Sequence, residues 1–217
     1  MYKDLDEQTL AKYCSQGDRM AENELYRRYA VRLNMLCKRY VVDDDEAKDL
    51  MLETLIKALE KIGTYEYRGN GSLYSWISRI AINNALNRIR RNRGRIVSLE
   101  DLWMNDNIPE PIEDDVANIP EEKILEWISR LPDLRRGVFN LYCIDGYSHQ
   151  EISQMLGISV TGSTSALAKA RKQLKKEIRR YLQGQDKGKS GKIYSRIRWR
   201  GLRNLYLKAS SPSFKLV

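Results

Sequence analysis

The chain has 217 residues, 42% of them apolar and 31% charged, and its 38 Lys and Arg against 29 Asp and Glu give a net charge of +9. That suffices for one ordinary domain or two small ones, with wide solvated or anion-facing surface. No apolar run nears the ~18 residues of a membrane span, the start MYKDLDEQ carries no leader-like apolar core, and a single histidine (His149) excludes the usual His-rich zinc sites and most Ser-His or Cys-His catalytic designs. A secreted, membrane-spanning or zinc-dependent protein is therefore not expected, and neither a cofactor nor a metal is. Cys14, Cys37 and Cys143 lie far apart without a C-x-x-C pair, the usage of free thiols in a reducing cytosol.

Residues 1–95 sum to +4 and read as helical. From Asp6 to Val42 apolar residues recur at helical intervals (Leu10, Tyr13, Cys14, then Leu25, Tyr29, Leu33, Leu36, Cys37, Tyr40), with a break near Gly17. Asp43 to Asp45 suit the start of a second long helix, where acids complement the helix dipole, and Gly63 stops it. On a wheel at about 100° per residue, Ala47, Leu50, Met51, Thr54, Leu55, Ala58 and Ile62 form one stripe. Leu52, Ile56 and Leu59 widen the apolar arc to roughly 240°, more than one packed face needs. Either a neighbouring helix covers the second face, or it docks another protein.

The segment Tyr65–Trp76 interleaves aromatics with Gly69, Asn70, Gly71 and Arg68, and a helix from Leu73 to about Arg91 follows. That helix carries Arg79, Arg88, Arg90 and Arg91, then Arg93 and Arg95 follow, with Asn83, Asn84 and Asn87 between. Arginines bind phosphates, aromatics stack on unpaired bases and Asn reads base edges, so the segment describes a single-stranded nucleic-acid site better than a duplex site. Leu73, Trp76 and Ile80 also suit a core, and Gly69-x-Gly71 alone is not a phosphate-binding loop.

Residues 96–122 sum to −9 without one Lys or Arg, and Pro109, Pro111 and Pro120 punctuate them. Proline and like charge both oppose regular structure, so an extended linker is expected. Residues 123–183 sum to +6, with short helices expected over 121–130, 133–144 and 148–156 and a longer one over 160–182. Ser148 and Glu151 fit a capping box, Gly157 a turn, and the whole a helix-turn-helix. The long helix would bury Leu167, Ala170, Leu174, Ile178 and Tyr181. Its other face would offer Ser163, Thr164, Ala166 and Lys169 to base edges and Arg171, Lys172, Lys175 and Lys176 to phosphates. His149 is expected to be a surface residue at a helix start. Residues 184–217 sum to +8 and open with the Gly/Lys/Ser run of a flexible tail.

These residues resemble the extracytoplasmic-function (ECF) group of the sigma-70 family, compact two-domain sigma factors of bacterial RNA polymerase, over about residues 5–183. Asp49-Leu50, Glu53-Thr54 and Lys57 resemble the family's polymerase-binding motif, with Leu52 where its glutamine stands. Tyr67-Arg68-Gly69, Leu73, Trp76-Ile77, Arg79-Ile80-Ala81 and Asn83 resemble the stretch that melts and captures the −10 element. Leu131-Pro132, Arg135-Arg136, Gly146–Ile152 and Leu156–Ser159 resemble the region that reads the −35 element. Thr164 and Ala166 stand where basic residues are common.

The resemblance implies an all-α fold of two small helical domains, residues 1–95 and 123–183, joined by the acidic linker. It implies a non-enzymatic promoter-specificity factor. The expected polymerase contacts are Asp49, Leu50, Leu52, Glu53, Ile56 and Lys57. Tyr67, Arg68, Asn70, Trp76, Arg79, Asn83, Asn87, Arg90 and Arg91 would hold the melted −10 strand. Ser163, Thr164, Ala166, Lys169, Arg171, Lys172 and Lys175 would meet −35 duplex. The expected partners are core RNA polymerase, promoter DNA as duplex and as melted non-template strand, and an anti-sigma or other recruiting factor whose identity the residues do not specify. A cytoplasmic location and no membrane contact follow. The rival readings are a helix-turn-helix regulator acting without polymerase and an enzyme acting on DNA.

Overall fold

The computed structural model describes residues 2–93 and 119–185. Most of the acidic linker, with Glu110, Glu113, Asp114 and Asp115, and all but the first two residues of the basic tail lie outside the described residues. Among the described residues every regular element is helical, as the periodicity predicts. They form two compact units that part near Arg88.

In the first unit a short 3-10 turn, Tyr2–Asp4, precedes α1 (Glu7–Ser15), α2 (Arg19–Lys38), α3 (Asp44–Lys61) and most of α4 (Ser72–Arg93). Three aspartates start the first three helices. Asp6 accepts from the Thr9 N–H at 2.8 Å, Asp18 from Met20 at 2.8 Å and Asp43 from Glu46 at 2.9 Å, satisfying donors that a helix start leaves open. Gly17 takes φ +77 between α1 and α2, a conformation that other residues rarely adopt. Leu10, Leu25, Leu33, Leu50, Leu73 and Ile77 are fully buried from all four helices, each such side chain stabilising by about 1.5–3 kcal/mol. Burial also pushes the Cys14 thiol up to about 11 and the Cys37 thiol to about 12, so both stay protonated.

A buried carboxylate ties down the amino-terminal segment. Glu24 accepts from Arg27 at 2.7 Å and from Arg28 at 2.6 Å, and these two guanidinium groups, Arg27 foremost, hold its pKa down at about 2. Arg28 then donates to the carbonyls of Leu5 at 2.7 Å and of Tyr2 and Lys3 at 2.9 Å. A charge this buried persists only when fully paired.

In the second unit α5 (Glu121–Ser129) leads to α6 (Asp133–Phe139), which widens into a π-helical stretch, Asn140–Asp145. Gly146, at φ +83, ends that stretch, and α7 (His149–Leu156) and α8 (Val160–Gln185) follow. Val138, Phe139, Ile152, Leu156, Leu167 and Leu174 form its core. Arg136 is buried, donating to the Leu131 carbonyl at 2.8 Å, the Ser129 carbonyl at 3.1 Å and Asp133 at 2.6 Å. It thus closes the open carbonyls at the end of α5. Trp127 meets Tyr181 edge-on at 5.6 Å, which brings α5 to the carboxyl-terminal half of α8.

Candidate functional site

The inner face of α3 is spent on the core, and its outer face is not. Leu52 is 45% exposed and Ile56 58%, with Asp49 and Glu60 exposed on the same side. No neighbouring helix among the described residues covers this pair. Leu59 is half-buried. Leu50, expected among the polymerase contacts, is at 0% exposure and lies in the core stripe with Ala47 and Met51, so its side chain is not on the outer face. Glu53 and Lys57 are half-buried and turned toward α4. Lys57 Nζ donates to Glu53 at 2.6 Å and to Asn84 Oδ1 at 2.9 Å, and Arg88 donates to Glu53 at 3.2 Å. Lys57 first and Arg88 second hold the Glu53 carboxyl below the usual range. Asn84 completes the link by donating to Thr54 Oγ1 at 3.3 Å. Asn84 and Arg88 therefore serve α3–α4 packing rather than the basic surface where the sequence pattern put them.

The 65–72 loop is ordered by its own side chains. Ser72 Oγ lies 2.6 Å from the Tyr65 hydroxyl and accepts from the Arg68 N–H at 3.2 Å. Gly69 and Gly71 supply φ +103 and +85, the turn that carries the chain into α4. Tyr65 packs on Trp76 at 5.7 Å, which leaves Trp76 half-buried. Tyr67 is exposed, its hydroxyl donating to Asn70 Oδ1 at 3.2 Å, and Arg68 pairs with Glu66 at 3.1 Å on the surface. Along α4, Ser75, Arg79, Asn83, Asn87 and Arg90 recur every three or four residues and are all exposed, with Arg91 beside them. The expected −10 residues of α4 thus follow one side of that helix, and Tyr67, Arg68 and Asn70 lie in the loop that precedes it.

In the second unit the capping box is formed: the Ser148 N–H donates to Glu151 at 2.8 Å and the Glu151 N–H to Ser148 Oγ at 3.3 Å. Gly157, at φ +63, turns the chain, and Ser159 Oγ accepts from the Gly162 N–H at 2.9 Å at the start of α8. Leu167, Ala170, Leu174 and Ile178 are buried as expected, and Tyr181 is half-buried. Two expected base-contacting residues are not on the open face. Ser163 is fully buried and Ala166 nearly so, because both lie on the side of the wheel that Leu167 and Ala170 define. The open face is instead Thr161, Thr164 and Lys172, with Ser165, Ala168, Lys169 and Lys175 half-exposed along it.

Arg171 and His149 also differ from expectation. The Arg171 guanidinium sits 5.6 Å from the Tyr142 ring and 3.8 Å from Cys143 Sγ, turned back on its own unit. His149 is half-buried rather than a simple surface residue, stacked on Tyr142 at 4.5 Å with Nδ1 2.8 Å from Ser163 Oγ. Burial, and secondarily Arg171, hold its imidazole below the ordinary histidine range. Among the described residues no group of His, Cys, Asp and Glu is placed to hold a metal ion, and no helix is long and apolar enough to cross a membrane.

Each surface has a counterpart in a known sequence family. The Sigma-70 region 2 family matches residues 25–95 and the Sigma-70, region 4 family residues 121–174, in that order. The chain is 28% identical over 189 residues to the ECF RNA polymerase sigma-E factor of Haemophilus influenzae, across 82% of this chain and 98% of the relative. The chain belongs to the ECF group of the sigma-70 family. This sigma factor is also 29% identical over 182 residues to the RNA polymerase sigma-H factor of Pseudomonas aeruginosa, across 79% of this chain and 93% of that one. Among solved structures it is similar to the sigma factor RpoE in complex with the anti-sigma factor NepR from Bartonella quintana, at 17% identity and a TM-score of 0.45, covering 72% of this chain and 96% of that chain. A sigma factor with regions 2 and 4 is a promoter-specificity factor that acts with RNA polymerase in transcription initiation. A helix-turn-helix regulator acting alone would account for residues 121–174 and leave 25–95 without a role.

Proposed function

We propose that the first unit of this sigma factor docks on core RNA polymerase through the outer face of α3, centred on Leu52 and Ile56 and flanked by Asp49. Tyr67, Arg68 and Asn70 of the loop, Trp76, and the α4 stripe of Arg79, Asn83, Asn87, Arg90 and Arg91 capture the displaced −10 strand. Unpaired bases stack on the aromatics while the cations follow the backbone. In the second unit α8 enters the −35 major groove with Thr161 and Thr164 toward base edges and Lys169, Lys172 and Lys175 toward phosphates. Residues 1–95 and 123–183 act as the two functional domains. The protein carries out no catalysis of its own and works in the cytoplasm. An anti-sigma or other recruiting protein would compete with polymerase for the Leu52–Ile56 face.

The observation that carries this reading is the pair of exposed apolar side chains on a helix whose core face is already complete. Such a pair costs solubility unless a partner covers it. Purified sigma factor added to core polymerase should start transcription at defined sites on linear bacterial DNA, with permanganate-reactive thymines upstream of the start. Core-independent binding at those sites without initiation would overturn it.

A further inference from the structure

Ser163 is a hydroxyl with no exposure at all, set in the first turn of α8 among apolar residues. A buried hydroxyl destabilises unless it is hydrogen-bonded. Its partner comes from the other helix of the helix-turn-helix: His149 Nδ1, at 2.8 Å. His149 is itself held, at the first position of α7 behind the capping box and flat against Tyr142, with the rings 21° apart. Tyr142 in turn lies beneath the Arg171 guanidinium. The contacts therefore leave α8 at Arg171, pass through Tyr142 and His149, and return to α8 at Ser163.

Those two attachment points are eight residues apart, or about 12 Å along the helix axis. Buried apolar side chains such as Ile152 and Leu156 of α7 and Leu167 of α8 hold the unit together, but their packing is non-directional and tolerates a small rotation of α8. A hydrogen bond at one end and a ring-stacked guanidinium two turns later do not. Each inward residue also has an outward neighbour, Thr164 after Ser163 and Lys172 after Arg171, both exposed.

We propose that His149 and Ser163 are a positioning pair that sets the rotation of α8, and so which side chains of its first turns meet the bases of the upstream promoter element. The proposal rests on the reading that α8 enters duplex DNA. The groups facing His149 are Tyr142 from the π-helical stretch and Ser163 and Arg171 from α8. The carboxylate on its own helix, Glu151, is engaged by Ser148.

The test is sequence selection by reconstituted holoenzyme from promoter duplexes randomised across the upstream element. The variants are Ser163→Ala, His149→Phe, the double variant, His149→Asn and Thr164→Ala. Each of Ser163→Ala and His149→Phe should lower discrimination between upstream sequences about two- to tenfold, the span one hydrogen bond allows. The double variant should be no worse than either single. His149→Asn, which keeps a hydrogen-bonding atom at the Nδ1 position, should recover most of the loss. Thermal melting by circular dichroism checks folding, and if His149→Phe does not fold, Ser163→Ala against His149→Asn decides. Unchanged selection in the pair variants while Thr164→Ala changes it, or additive losses in the double variant, would overturn the pair alone. Absence of any upstream preference in the wild-type holoenzyme would overturn the reading of α8 and the pair with it.

Discussion

Glu7 of α1 caps α4 from 66 residues away: its Oε2 accepts the Leu73 backbone N–H at 3.0 Å. The residue that precedes α4, Gly71, has no side chain with which to cap it, so the donor is satisfied from another helix. The other Glu7 oxygen accepts from the Tyr29 hydroxyl at 3.0 Å, and burial, with that carboxylate beside it, raises the Tyr29 pKa well above the usual tyrosine range. Glu7→Ala should therefore cost about 1 kcal/mol of stability, the worth of a helix cap. Because Ser72 in the same turn organises the loop through Tyr65 and Arg68, amide exchange over residues 66–72 should quicken. Exchange that quickens only within α1 would contradict the cap.

Docking separates two leucines two residues apart. Leu52→Glu combined with Ile56→Glu places charge where both side chains are already exposed, so helical circular dichroism should be unchanged while co-purification with core polymerase is lost. Leu50→Glu buries a charge in the core and should unfold the first unit instead. A double variant that still binds core normally would remove α3 from the interface.

The helical class, the caps at Asp43 and Ser148 and the two-face character of α3 were legible because each depends on residues close in sequence. Ser163 is buried against the sequence expectation for a different reason. It stands four and seven residues before Leu167 and Ala170, so the wheel alone puts it inside, but its hydroxyl reads as surface until the His149 partner is known. Asn84 and Arg88 read as surface in the same way, since Thr54, Lys57 and Glu53 reach them only after α3 and α4 pack. Polar residues whose partners are distant carry no local signal. The Glu7 cap is the same kind of case.

Strand capture divides α4 by face. Alanine at Tyr67, Arg79 or Asn83 should reduce permanganate-detected opening more than closed-complex binding, because these side chains are exposed. Asn84→Ala should instead lower the melting temperature, since it removes the partner of Thr54 and Lys57. Equal loss of opening and closed-complex binding at Arg79 would mark it as a duplex anchor.

Acid should weaken the protein in two windows. His149 is held below its ordinary value of 6.5 when folded, so the unfolded chain takes up the proton first. Its contribution is fully present above 6.5 and is lost as pH falls below that value. Glu24 shifts from 4.5 to about 2, so its contribution is present above 4.5 and is lost as pH falls toward 2. Urea denaturation should show a first loss of stability just below pH 6.5 that His149→Asn flattens, and a second at lower pH that Glu24→Gln flattens. A first loss that persists in His149→Asn would assign it to another group.

Adjacent cations on α8 should behave differently toward salt. Lys172 is exposed on the face shared with Thr161 and Thr164, whereas the Arg171 guanidinium is turned back over Tyr142 and Cys143. A cation that neutralises a phosphate releases counterions, so Lys172→Ala should weaken holoenzyme on all upstream sequences alike and flatten the logarithmic salt dependence by about one unit. Arg171→Ala removes a contact within the unit; it should lower the melting temperature and leave the salt slope of the folded fraction unchanged. Thr164→Ala should alter the ranking of upstream sequences, with about 1–3 kcal/mol lost on the preferred base if its hydroxyl makes a specific contact. Affinity measured at two salt concentrations on ranked sequences separates the three. A flattened salt slope in Arg171→Ala would mean that the guanidinium leaves Tyr142 for the DNA backbone, and that α8 sits in the groove turned toward its Arg171 edge.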